Sequence, residues 1–238
     1  FWVDSQNKDR GFNSLYRIER AFPLSNHFSH EYFPASAYQT PIYWLLRQDF
    51  NKTLAFIIQF TNKVVESFAK DMPEEVETIK LKVTPDEHVE QYICSGLWNM
   101  HRGMESPSMP DLLKSMHMGL ERFLLECYCD DIADKIEKIL ISIIKASQSA
   151  SLSAVVTSVI LKYPDQLFGV AKILFSSRTV IAYDYTRSIY EYQCKSLYSI
   201  GVGLNSSKRI YERERLETCN DTFRQGSLEY LMLYYQLS

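Results

Sequence analysis

Apolar residues recur at three- and four-residue spacing through the middle of this chain, and the stretch from Ser108 to Ser176 holds its longest apolar runs. That period traces one face of an α-helix. Leu113, Met116, His117, Leu120, Leu124 and Cys127 form such a face on a helix expected from Pro110 to Cys129. Asp111, Lys114, Glu121 and Arg122 fall elsewhere on its wheel, so it reads as one-sided. Ser108-Met109-Pro110-Asp111 opens it as a capping box, with the proline where its missing N–H costs nothing. A second helix, about Asp131 to Ala146, starts amphipathic at Ile132, Ile136 and Ile139 and turns apolar all round through Ile144, which predicts burial on several sides. The third, about Ser149 to Tyr163, carries Leu152, Val155, Val156, Val159 and Ile160. Its other side holds Ser151, Ser153, Ala154 and Ser158, small enough for close packing. Pro164 breaks the run, and a fourth helix to Ser176 is expected to bury Leu167, Phe168, Ala171 and Leu174.

Away from this core, Asn13 to Phe22 reads as helical, and the aromatic-rich Pro23 to Pro34 as a loop. Thr40-Pro41 opens a helix through Ile42, Leu45 and Leu46. Asp49 caps a longer one ending near Met72-Pro73, striped by Leu54, Ile57, Ile58, Thr61, Val65 and Phe68. Between Thr78 and Ser95 the period changes to two: Ile79, Leu81 and Val83 alternate with Lys80 and Lys82, Thr84 to Glu87 is turn-like, and Val89 to Ile93 returns. A small β-hairpin over about 78–95 follows, leading into a turn at Leu97 to Gly103. Arg178 to Tyr192 predicts another helix, and Lys195 to Leu204 stays ambiguous. A last helical region runs from Ser207 to Gln236, broken near Asn220 or Gly226, with Leu228, Leu231, Met232 and Tyr235 on its final face. The mixed charges from Lys208 to Glu217, with Lys208 and Glu212 four apart, read as a solvated helix face. The fold class is mainly α: an irregular, helical-repeat-like array of about eight to ten helices with one small hairpin, forming a single domain over 1–238 with its core at about 108–176. The first residues already read as mid-protein sequence, so a piece of a longer chain is expected.

Composition narrows the function classes. Hydrophobic residues make up 46% and charged residues 23%, ordinary for a soluble globular protein. A net charge of −3 gives no general pull toward nucleic acid or anionic lipid. The uncharged run between Lys145 and Lys162 is shorter than the roughly 20 residues a membrane span needs, and serines interrupt it. Cys94, Cys127, Cys129, Cys194 and Cys219 are odd in number and scattered, which favours reduced thiols and a cytoplasmic location. The sequons at Asn51, Asn205 and Asn220 then read as chance matches.

Candidate chemistry is sparse. His27-Phe28-Ser29-His30-Glu31 lacks the order by which zinc hydrolases present two imidazoles and a base from one helix. Cys127-Tyr128-Cys129 has no second thiol pair to complete a tetrahedral site. No phosphate-cradling glycine loop occurs, and Gly201-Val202-Gly203 stands alone. No catalytic residue, metal site or cofactor is therefore assigned. Arg178, Asp184 and Arg187 place a charged row along one side of a helix. Salt bridges bracing neighbouring helices are the more common use of such a row, and a partner-binding surface is the sharper one. Trp98 and Arg102 divide the same way, between a turn anchored by an aromatic and an exposed hot spot. These five residues form the candidate interaction surface.

Several stretches resemble a helical module of very large bacterial antiviral NTPases, the STAND class (AVAST-like), with P-loop motors and helical-repeat sensors. They are Leu97 to Gly103, Ala154 to Val159, Arg178 through Asp184 to Arg187, and Ser227 to Leu231 with Tyr235-Gln236. The resemblance implies a non-catalytic sensor or scaffold that binds a phage protein, or another part of the same large chain, and relays that recognition. It carries over no functional residue, and it places ATP hydrolysis elsewhere in the full chain. The alternative is a generic intracellular helical-repeat adaptor for protein–protein contacts.

Overall fold

The computed structural model describes residues 35–103, 109–127, 133–199 and 209–237. Among them are ten α-helices and one two-stranded antiparallel sheet. The expected Asn13–Phe22 helix, the 27–31 histidines, the Ser108 cap, Cys129 and the Gly201-Val202-Gly203 run lie outside the described residues.

Helix α1 (Ile42–Gln48) and helix α2 (Phe50–Asp71) meet at Asp49, whose carboxylate accepts the Lys52 N–H at 3.1 Å and so caps α2. The α2 stripe turns inward at Leu54, Ile57, Thr61, Val65 and Phe68, as its period predicts, and Val64 joins them. Strands β1 (Glu77–Lys82) and β2 (His88–Ile93) form the expected hairpin in the register Ile79↔Gln91, Lys80↔Glu90 and Leu81↔Val89. Ile79, Leu81, Gln91 and Ile93 face the body, while Lys80 pairs with Glu90 across the solvent side at 3.1 Å. Buried Gln91 is satisfied at both ends: Nε2 donates to the Ile144 carbonyl at 3.0 Å, and Oε1 accepts from Ser153 Oγ at 2.7 Å.

The hairpin leads into the single-turn helix α3 (Ser95–Trp98) and a 3₁₀ turn (Met100–Arg102) that Gly103 ends at φ 64°, a left-handed conformation suited to glycine. Then come α4 (Asp111–Cys127), α5 (Ala133–Ala146) and α6 (Ala150–Lys162). A 3₁₀ turn (Pro164–Gln166) and α7 (Phe168–Phe175) follow, so the fourth expected helix begins with a tighter turn at its proline. Helix α8 (Arg178–Ser199) runs past the expected Tyr192 end. The last region breaks at both anticipated places, into α9 (Arg209–Thr218), a 3₁₀ turn (Thr222–Gln225) and α10 (Leu228–Leu237).

One hydrophobic cluster extends from Ile42 to Leu231, with α4 and α6 packed against each other at its centre. Three burial expectations change. Helix α4 is not one-sided, because the polar side of its wheel is covered too: Lys114 and Glu121 are buried. Helix α1 crosses α4 at Gly119, where a Cβ would sit 3.3 Å from Ile42 Cγ2. Helix α5, expected to be enclosed, keeps Ser142 and Lys145 exposed and buries one side through Ile136, Leu140, Ile143 and Ile144. The helix enclosed all round is α6, buried at every position from Ala150 to Ile160. Its serines and Thr157 let neighbours approach closely and satisfy their own hydroxyls within the core. Phe168, expected inside, is 45% exposed and meets Tyr235 edge-on at 4.7 Å. No helix among the described residues is long and apolar enough to cross a membrane.

Candidate functional site

On α8, Val180, Asp184, Arg187 and Glu191 follow one another at spacings of four, three and four, so they share a face, and all are buried. A core-facing helix ordinarily carries apolar residues at such positions. Here three of them are charged, and their partners arrive from the turn after α3 and from the turn that leads into α10. Arg102 grips Glu191 through Nε, 3.2 Å from Oε1 and 3.0 Å from Oε2, and through Nη2. Arg187 Nε donates to Asp184 Oδ1 at 2.7 Å, and its Nη1 lies 3.7 Å from Glu191 Oε2. The same guanidinium donates to the carbonyls of Arg224 and Gly226, each at 2.6 Å. Asp184 Oδ2 accepts the Leu228 N–H at 2.7 Å, which fixes the first turn of α10. Arg224 reaches back to Glu121 Oε1 on α4 at 2.5 Å and to Asp221 at 2.9 Å.

Helix α9 adds a second set. Glu214 Oε2 accepts from Ser36 Oγ at 2.6 Å and from the Ala37 N–H at 3.2 Å, while Arg122 stands 3.6 Å from its Oε1. Arg215 Nη2 donates to the Arg102 carbonyl at 3.1 Å. Thus Arg102, Arg187, Arg215 and Arg224 are buried together with Glu121, Asp184, Glu191 and Glu214, four guanidiniums against four carboxylates. Such balance is what burial demands, since an unpaired charge inside a protein costs several kcal/mol or about that order.

The electrostatics follow from this pairing. Burial opposes ionisation of Glu121, but Arg224, His101 and Arg102 together outweigh it and hold the carboxyl far below the usual carboxylate range. Glu191 is likewise lowered, burial being overcome chiefly by Arg102. His101 sits 3.9 Å from Glu121 Oε1, yet burial dominates and pushes its pKa down to about 3, so the ring is neutral at pH 7. Its Nδ1–H donates to the Trp98 carbonyl at 3.2 Å. These groups are locked in one protonation state around neutrality, which suits bracing more than proton transfer.

A serine–histidine pair lies elsewhere in the core. His117 Nδ1–H donates to the Leu113 carbonyl at 2.9 Å, which leaves Nε2 to accept from Ser151 Oγ at 2.9 Å, while Ser149 and Ser151 hydroxyls meet at 2.7 Å. His117 and Ser151 are each 0% exposed, and burial lowers the imidazole pKa to about 4. The pair has the atoms of a nucleophile and its base, but the group orienting the ring is a backbone carbonyl and substrate has no approach; it ties α4 to the start of α6. Ser151→Ala is expected to destabilise by about 1–3 kcal/mol by stranding Nε2 without a donor, read as a lower urea midpoint at pH 7.

A cleft of about 210 Å³ opens between α4 and α9, over Met118, Glu121 and Arg122 on one wall and Glu214, Glu217 and Arg224 on the other. Its floor is therefore the outer edge of the charged network.

Of the sequence candidates, the structure gathers Arg102, Asp184 and Arg187 into one network, with Trp98 beside it in the adjoining turn. All four are buried, Trp98 and Arg102 completely, so they brace helices and do not present a surface; Arg178 alone is exposed, at the start of α8. The charge density of this region is met by internal pairing, which removes these side chains from solvent. Glu191 and Arg224 were not among the sequence candidates, the burial of Glu121 reverses its expected place on the polar side of α4, and Glu214 and Arg215 correct the solvated-face reading of 208–217. The legible signal was the α8 row itself, extended one turn to Glu191. No protein-family model and no curated protein matches this chain.

Proposed function

We propose that the chain is a non-catalytic helical sensor and scaffold module of a bacterial anti-phage defence NTPase, acting in the cytoplasm by binding a phage or partner protein and relaying that recognition. The observation that carries the binding role is the outer face of α10. Tyr230, Leu233, Tyr234 and Leu237 stand at helical spacing with exposures of 69%, 49%, 41% and 87%, an apolar and aromatic stripe of the kind that docks proteins. Behind it, Asp184 and Arg187 fix the turn that α10 grows from, so a contact on the stripe bears on a rigid hub. The resemblance of Arg178–Arg187 and Ser227–Leu231 to defence-NTPase modules supplies the biological setting.

The test is affinity purification from bacteria before and after phage infection, with identification by mass spectrometry. A phage protein retained by the native chain and lost from a Tyr230→Ser, Leu237→Ser variant is expected. Partners captured equally from uninfected cells would point to the general adaptor, and capture indifferent to the two substitutions would remove α10 as the binding face.

A further inference from the structure

The contact between α9 and the rest of the molecule is built unlike any other helix interface described above. Its buried residues are Glu214 and Arg215, both charged, while Ile210 is 62% exposed. Glu214 is held by Ser36, Ala37 and Arg122, and Arg215 by the Arg102 carbonyl. Beneath α9, facing α4, lies the cleft, whose two walls are bridged by ionic contacts at Arg122–Glu214 and, further along, Arg224–Glu121. Buried ion pairs lose in desolvation much of what they gain by attraction, whereas apolar burial is a net gain. A helix whose fully buried contacts among the described residues are ionic, with Tyr211 and Leu216 half-buried, belongs to the low-stability end of a fold, where segments open without global unfolding.

From this we infer that α9 is a hinged lid, latched by Glu214 and Arg215, which swings from α4 to open the cleft and uncover Met118 and the Glu121–Arg224 pair while the α4–α6 core stays folded. The inference concerns the chain by itself and holds whether or not α10 binds a partner.

Thiol labelling tests it with an internal control, because α4 carries both a cleft residue and a core cysteine. Met118 is 1% exposed in the cleft lining, clustered with Ala35 and Ala37, and Cys127, on the same helix, is 5% exposed in the core cluster. In a Met118→Cys variant, with labelled sites resolved by peptide mass spectrometry, residue 118 is expected to react roughly 100-fold faster than Cys127, as local opening requires. Adding Glu214→Gln, which removes the latch charge, should speed residue 118 about tenfold further and leave Cys127 unchanged. Equal rates at 118 and 127, or a Glu214→Gln effect that is absent or shared by both sites, would overturn the lid. Hydrogen exchange on the unmodified chain makes the same comparison without substitution. Amides of 211–218 should lose protection well before those of 152–160, and simultaneous loss would equally sink the inference.

Discussion

Arg187→Ala is expected to be among the most damaging single changes in this chain, costing about 3–5 kcal/mol of stability, the range for breaking a buried ion pair by removing one partner. Two losses combine. Asp184, 0% exposed, loses the guanidinium that faces it at 2.7 Å. The carbonyls of Arg224 and Gly226 lose the donors that tie the turn before α10 to α8. Arg187→Lys should rescue little, because one ammonium cannot serve a carboxylate and two carbonyls in the planar arrangement the guanidinium occupies. Arg178→Ala, on the exposed start of the same helix, should leave the urea midpoint where it was. Urea titrations of the three variants at pH 7 decide the matter, and a loss below about 1 kcal/mol for Arg187→Ala would contradict a buried brace.

Acid should destabilise the fold from well above the usual carboxylate range, through the two imidazoles buried among the described residues, His101 and His117. Burial lowers His101 to about 3 and His117 to about 4, from 6.5 in the unfolded chain. Below pH 6.5 the unfolded state therefore binds protons that the native state refuses, so stability falls as pH falls and the loss ends only once each folded pKa is passed. With two such groups the slope approaches two protons, or about 2.7 kcal/mol per pH unit between pH 6 and 4.5. The Glu121 and Glu191 carboxyls act later and with the same sign: their lowered pKa values give stability that is present above 4.5 and lost as pH drops further. Stability measured by urea at half-unit steps should show this slope, and His117→Gln should reduce it to about one proton. A flat profile from pH 6.5 to 4.5 would mean that the rings are solvated and not enclosed.

Helix and strand periods carried most of the architecture. The α2 stripe, the Asp49 cap, the hairpin with Lys80 and Lys82 outward, and the breaks near Asn220 and Gly226 all depend on neighbours within a few residues, which is the range over which spacing and capping operate. Burial was less legible. The apolar run in α5 did not enclose that helix, and Phe168 stayed half outside, because how many sides of a helix are covered depends on which other helices lie against it.

The charged network marks where local reading stops. Asp184 and Arg187 were visible as a row, yet nothing within α8 says whether the row meets water or a matching set of charges. Glu121 looked like the solvent side of its helix, and Glu214 and Arg215 like a solvated face, until Arg224, Arg122 and Arg102 were brought against them from positions far along the chain. The sequence by itself determined the mainly helical class, the hairpin, the Asp49 cap and the breaks near Asn220 and Gly226, since these follow from period, caps and breakers. Only the tertiary structure decided which charges are inside, because a buried charge is tolerable only where an opposite one is delivered to it, and that delivery is a property of the packed fold.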